Sequence, residues 1–329
     1  MTTAPLPLLP ASRGLPWRAV VADYLGMVLV LVGLIAYFGF STEHFFELTT
    51  FHSIANMIPD AVIIAVGMTY VLIIAGIDLS VGSVLALSGA VLGVCMARHQ
   101  WPLSAAVVVC LGVGLACGLA NGLLATSWGL PSFIVTLGMM EIARGGAYMV
   151  SNSETQYIGA PVAVIAENAV FGRWLPFVVA VAVVLIGQFV LSRTVLGRYM
   201  VAIGTNEEAV RLSGIDPRPI KLAVFSLCGF LAGLAAVIQI PRSESANPNA
   251  GTGAELQAIA AVVIGGTSLM GGRGSVINSF FGVVIIAVLG AGLAQMGAKE
   301  PTKRLITGCV IVAAVVLDHY RHKLWKGGK

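Results

Sequence analysis

Long unbroken runs of apolar residues dominate this chain and decide what it can become. They divide into about ten segments near the ~20 residues that a helix needs to cross ~30 Å of hydrocarbon. We expect spans near residues 22–40, 57–75, 80–97, 103–126, 131–150, 174–192, 220–240, 255–270, 275–295 and 304–318. Of the 329 residues, 57% are hydrophobic and only 10% charged, against about 25% charged in a soluble domain. That much apolar surface needs lipid around it. Because lipid leaves exposed backbone amides unpaired, only helices or closed barrels span it, and runs such as Val178 to Leu191 lack the alternation of a barrel strand. The expected fold is all-α: a polytopic integral membrane helix bundle of about ten transmembrane helices.

Charge orients the bundle. With the N-terminus inside, twelve of the nineteen Lys and Arg residues fall on the cytoplasmic face and six on the other, which puts both termini in the cytoplasm. The chain then divides into a cytoplasmic segment (1–21), a transmembrane domain (22–318) with a cytoplasmic loop at 193–221, and a basic cytoplasmic tail (319–329). The first apolar run lacks a small-residue cleavage site and is expected to stay as the first span.

Several chemistries are excluded by what the sequence lacks. The five cysteines sit inside apolar stretches without Cys-x-x-Cys spacing, so we expect neither a metal site nor a disulfide framework. The net charge of +4 is too modest for a nucleic-acid footprint. No G-x-x-x-x-G-K-[ST] run is present, so nothing here cradles nucleotide phosphates. No cofactor is expected in this chain, which reads as a non-enzyme. If ATP drives transport, another polypeptide hydrolyses it.

Ionisable groups inside lipid cost roughly 2.5–3.5 kcal/mol each on insertion scales and need a reason. Asp60, Asp78, Glu141 and Arg144 are four such groups. Glu141 and Arg144 are three apart in an expected helix, so a structural ion pair and a place on a translocation path are both open. Asp60 lies near the outer end of its span, within reach of interfacial water. Asp78 belongs to Gly76-Ile77-Asp78-Leu79-Ser80-Val81-Gly82-Ser83, a glycine-rich break with almost no room for a loop. Such a stretch must be buried in protein or line a wet cavity, and Asp78 either caps the following helix or touches solute. Glu255 to Ser275 ends in a second glycine-rich break and reads as a short or re-entrant helix. Gly114, Gly118 and Gly122 repeat at four-residue spacing, which suits close helix packing within the chain or between subunits.

In the longest interior-facing connection, Thr205-Asn206-Glu207-Glu208-Ala209-Val210-Arg211-Leu212-Ser213-Gly214 reads as a two-turn helix with acids in its first turn and a glycine stop. Thr205 and Glu208 have capping-box spacing. So short a helix is marginal alone and needs a groove, in this chain or in a partner, for Ala209, Val210 and Leu212.

At this point ordered motifs match a known family. Ala65-Val66-Gly67-Met68-Thr69 precedes the Gly76–Ser83 break; then come Phe133 to Met140 leading to Arg144-Gly145, Leu196-Gly197-Arg198-Tyr199, the 206–215 stretch, and Gly251-Thr252-Gly253 through Glu255-Leu256 to Gly271-Gly272. From about residue 54 to 318 the chain resembles the permease subunits of bacterial ribose-type sugar ABC importers. The resemblance implies a multi-pass protein of the inner membrane and a cytoplasmic ABC ATPase that carries ATP and Mg. It also implies a second permease chain, identical or different, and a periplasmic sugar-binding protein. It makes Thr205, Asn206, Glu207, Glu208, Ala209, Val210, Arg211, Leu212 and Gly214 the ATPase-coupling helix. Asp78, Ser83, Asn121, Thr136, Glu141 and Arg144 are candidates for the translocation path of a sugar or polyol, which needs hydrogen-bonding groups rather than fixed charge. The chain departs from the family pattern at Gln257, where Asp is common. A proton-coupled secondary transporter working through Asp60, Asp78 or Glu141 is the alternative from another class.

Overall fold

The structure, a computed structural model, describes residues 17–166, 174–310, 312 and 313. Most of the expected N-terminal segment, the basic tail and residues 314–318 of the last expected span lie outside the described residues. The described chain is helical apart from one two-stranded clip, as the long apolar runs require.

Among the described residues only five or six helices meet the length and apolarity of a span, yet helices occupy most of the ten stretches expected to span, with two informative exceptions. α1 (Trp17–Ser41), α4 (Val81–Ala97), α5 (Leu103–Ser127), α6 (Ser132–Ser151), α8 (Leu175–Arg193), α10 (Arg218–Ser243) and α12 (Val276–Gln295) lie within a few residues of them. The span expected at 57–75 is instead a pair, α2 (Leu48–Met57) and α3 (Pro59–Ile73), bent by 45° where Pro59 cannot continue the preceding helix. The stretch expected at 255–270 contains α11 (Ala254–Ile264), only 11 residues long, which ends at Gly265 and Gly266. Among the described residues, five helices are long and apolar enough to cross a membrane alone, six with the bent pair counted as one. The remaining helices are α7 (Ala160–Ala166), α9 (Val195–Leu212) and a stretch at 300–310 that covers the described start of the last expected span.

α3 is the central pillar. It is apolar all round, which suits a helix enclosed on every side, and every residue except Asp60 and Ala61 is buried. Its two buried polar side chains are paired: Thr69 Oγ1 bonds Ser279 Oγ of α12 at 2.8 Å, and Tyr70 donates to the Gly187 carbonyl of α8 at 2.6 Å. Next to Gly187, the Gln188 side-chain oxygen accepts from the Val276 and Ile277 amides at the start of α12. A helix end that lipid would leave unpaired is thereby satisfied.

α5 and α10 are held together by their missing side chains. A Cβ on Gly114 would collide with the Gly229 carbonyl, one on Gly118 with the Phe225 carbonyl, and one on Gly122 would press into Leu222 at 2.8 Å. The four-residue glycine repeat is thus packing within the chain, where small residues let backbones approach without a hydrophobic drive. At the far end, β1 (Gln156–Tyr157) pairs antiparallel with β2 (Ser245–Ala246). Arg98 reinforces this end by donating to the Gln156 side chain and the Ser151 carbonyl.

Replacing Gly118 with Val should lower stability by about 1–3 kcal/mol, as overpacking does. Gly112, on the same helix with open space around it, should accept Ala within about 0.5 kcal/mol. Thermal unfolding of the two purified variants in detergent checks the difference.

Candidate functional site

Three arrangements gather the polar groups of the bundle. The first is the break between α3 and α4. Residues 76–80 are non-helical backbone deep inside the protein, and their hydrogen-bonding groups find side chains in place of a strand. Ser132 Oγ accepts from Ile77 N at 3.0 Å; Thr136 Oγ1 accepts from Leu79 N and donates to the Ile77 carbonyl, each at 3.1 Å. The first turns of α6 therefore act as the missing strand. Asp78, 1% exposed, accepts from Ser80 N at 2.9 Å and Ser80 Oγ at 2.6 Å. Asn121 of α5 donates to Ser80 Oγ at 2.9 Å, and its buried Oδ1 has no partner among the described residues. Asp78 does secure the entry to α4, but from two residues before the N-cap, which is Ser80 itself. Ser83 is buried in the first turn of α4.

The second arrangement is a strap. After α10 the chain pairs as β2 and then, over residues 247–253, turns back into the bundle along α4. Ala246 packs at Gly93 and Gly251 at Gly82. Those contacts are eleven residues apart on α4, so the strap descends about 16 Å at 1.5 Å per residue, roughly half the hydrocarbon thickness. It is built from turns: Asn247 Oδ1 accepts from Asn249 N at 2.8 Å, and Thr252 Oγ1 donates to the Asn249 carbonyl at 2.8 Å. Gly251 takes a φ of 65°, a conformation that a side chain resists. Between the strap, α4 and α10 lies a cavity of about 200 Å³ whose walls include Gln239, Arg242, Ser243 and Asn247.

The strap corrects the expected pairing of Glu141 with Arg144. Arg144 Nη1 donates to the Pro248 carbonyl at 2.7 Å and the Ala250 carbonyl at 2.9 Å. No ion pair joins it to Glu141 among the described residues. Carbonyls draw the guanidinium because backbone oxygens at membrane depth have no water to turn to. Glu141 instead lies on the exposed face of α6. One turn beyond Arg144, Tyr148 donates to Asn249 Oδ1 at 2.6 Å. Asn249, Thr252 and Gln257 are also exposed, and on α6 and α11 Glu141 and Gln257 stand among exposed apolar side chains such as Leu137, Ile142, Met149 and Leu256. Asp60, expected to reach water, is held by Gln239 at 3.1 Å and Arg242 at 3.7 Å.

The third arrangement is a peg on the face where α9 ends. α9 breaks at Asn206, whose backbone is non-helical (φ −161°, ψ 96°), and a short second helix runs on to Leu212. The cap is Asn206, not Thr205: Asn206 Oδ1 accepts from Ala209 N at 2.9 Å, while Thr205 Oγ1 donates back to the Val201 carbonyl. The Thr205–Glu208 capping box does not form, because Thr205 still belongs to the preceding helix. Glu208 pairs with Arg211 at 2.8 Å instead. Glu207 binds Lys221 of α10 at 2.7 Å, and Gly214 ends the peg at φ 84°. Val210 is buried against the chain while Leu212 is 80% exposed, so the apolar face of the peg is only partly covered. A basin of about 680 Å³ opens beside it, lined by Thr126, Glu207, Arg211, Asp216 and Lys221 among others.

Of the residues named as candidates for the translocation path, Asp78, Asn121 and Thr136 meet around the 76–80 break, where all three are buried; nothing in their spacing pointed to Ser132. It did not find Tyr148 or Asn249, although Asn247-Pro248-Asn249 is a turn signal where no loop has room.

The profile of a family described as branched-chain amino acid transport system / permease component matches residues 50–315. The chain is similar to the ribose import permease protein RbsC of Escherichia coli (strain K12), 39% identical over 302 residues that cover 89% of this chain and 92% of the relative. It is also similar to the fructose import permease protein FrcC of Rhizobium meliloti, 36% identical over 309 residues that cover 91% and 85%. A third relative is the D-allose transport system permease protein AlsC of Escherichia coli (strain K12), 36% identical over 311 residues that cover 94% and 95%. No solved structure matches.

Asp78→Ala leaves two buried Ser80 donors without their acceptor, which should cost about 1–3 kcal/mol. Asp78→Asn keeps an acceptor oxygen and should cost less than half as much. Chemical unfolding of both variants in detergent checks the order.

Proposed function

The chain belongs to the branched-chain amino acid transport system / permease component family, and from that membership we propose that it passes a neutral sugar or related polyol across the bacterial inner membrane. In this reading a cytoplasmic ABC ATPase supplies the work, a periplasmic binding protein delivers the solute, and a second permease chain completes the conduit. Two relatives are named as import permeases, for ribose and fructose, and a third as a D-allose transport system permease, which favours the importer over a proton-coupled carrier. A neutral solute also suits the exposed groups of α6 and the strap, which offer amides and hydroxyls with a single carboxylate, Glu141. Glu141, Asn249 and Thr252 are exposed and are poorly suited to lipid, so a wet cavity shared with the second chain is their natural surrounding in this reading.

The observation that carries the proposal is the peg. It is a short helix, separately capped at Asn206 and stopped at Gly214, with Leu212 uncovered and a basin at its side. Such a helix needs a groove to be stable, and the ATPase supplies it in this reading. Two contacts then carry its movement inward. Lys221 ties Glu207 to α10, which the glycine seam binds to α5 and so to Asn121. At the hinge, Gly204 lies against the Ile73 carbonyl at the end of α3, and Gly272 donates its amide to that same carbonyl at 2.9 Å. A tilt of the peg therefore reaches both sides of the break that holds Asp78. Alternating access follows when those sides move relative to each other.

Gentle solubilisation of the tagged chain should bring down an ABC ATPase, and its recovery without any ATPase partner would contradict the importer. Within the recovered complex, Asn206→Ala removes a cap worth about 0.5–2 kcal/mol and should lower solute-stimulated ATP hydrolysis several-fold. Val210→Pro and Gly214→Val should abolish it while the chain stays membrane-inserted. Normal stimulation in these variants would remove the peg from the mechanism.

A further inference from the structure

Arg144 stands near the middle of α6, where a charge is costly, and donates two hydrogen bonds to backbone carbonyls of another segment. Neither carbonyl belongs to a helix or a sheet ladder. Pro248 is buried and Ala250 half-buried, and an unpaired carbonyl at that depth costs several kcal/mol. Arginine suits this task because its planar fork presents several donors in a fixed geometry and never loses its charge.

We propose that Arg144 is a positioning residue: it pins the strap of residues 247–253 so that the exposed side chains of Asn249 and Thr252 face the solute path. This rests on the reading of the α6 and strap surface as the wall of that path. The strap is fixed at three heights. Its upper end is clipped through β2 to β1, its middle is held by Arg144 and Tyr148, which lie four residues apart and so on one face of α6, and its lower end crosses Gly82 at backbone contact. The middle hold acts through the side chains of Arg144 and Tyr148, and together with the Asn247 side chain that accepts from Asn249 N it sets how residues 248–250 lie. Tyr148 takes the Asn249 oxygen, which fixes the amide with its N–H₂ group as the end offered to a hydroxylated ligand. Thr252 is fastened to the Asn249 carbonyl, so the two side chains move together when the pin is lost. A neutral polyhydroxylated solute is the ligand class such groups recognise.

Hydrogen exchange of the full chain in lipid nanodiscs tests the pin without any transport. Arg144→Ala should speed exchange of the 249–253 amides at least tenfold while α10 and α12 keep their protection; unchanged exchange in the strap overturns the proposal. If that variant does not fold, Arg144→Lys decides, since one ammonium replaces the fork: a threefold rise supports the pin and no rise overturns it. Uptake by proteoliposomes holding the complete complex then separates positioning from stability. Arg144→Lys should raise the half-saturating solute concentration about tenfold with maximal rate within twofold. Raised exchange with unaltered half-saturation overturns the positioning role but leaves the importer standing. Failure of the unmodified complex to take up any sugar counts against the proposed function instead, whatever the strap does.

Discussion

Every part of this structure answers one demand: a backbone N–H or C=O at membrane depth must find its partner inside the protein. Where the chain is helical the demand is met locally, and the only remaining question is how closely helices approach. Where it is not, side chains are recruited for the purpose. Ser132 and Thr136 serve the 76–80 break, Gln188 serves the start of α12, and Arg144 serves the strap. The polar residues that look anomalous in so apolar a sequence are thus mostly the partners of interrupted backbone.

This accounts for why the interruptions lie where function is expected. A continuous helix bundle offers a solute no hydrogen-bonding surface and offers a motor no lever. Breaking α3 from α4 gathers buried carboxylate, hydroxyl and amide groups around Asp78; turning the chain back after α10 carries Asn249 and Thr252 to mid-depth; kinking α9 at Asn206 frees two turns as a peg. Each break costs paired backbone, and each is repaired from a neighbouring element. The repairs make the breaks mechanically coupled. Asn121 joins α5 to the first break, Lys221 joins the peg to α10, and Gly272 joins the loop after α11 to the end of α3.

Much of the fold was legible in the sequence, for physical reasons that also mark the limit. Apolar runs fix where spans lie because lipid solvates residues one by one, and the glycines at 114, 118 and 122 predicted close packing because a missing Cβ has one geometric consequence. The 2-residue clip and the strap were not legible: Asn247 to Gly253 carries turn chemistry that suits any surface loop, and its depth is set by packing on α4. Thr205 and Asn206 are both good cap formers one residue apart, so propensity alone does not choose between them. The choice falls to Asn206 because the preceding helix keeps Thr205, whose hydroxyl bonds back to Val201.

Arg144 shows the limit most plainly. From spacing, its natural partner is Glu141, one turn away on the same helix, because only side chains leave a trace in a sequence that can be paired by inspection. Its actual partners are two carbonyls, and every residue has one. The pairing therefore depends on which backbone the fold leaves unpaired, a property of the whole chain. Once Arg144 is spent on the strap, Glu141 is left on the exposed face of α6, where lipid is the least favourable cover for an acidic side chain.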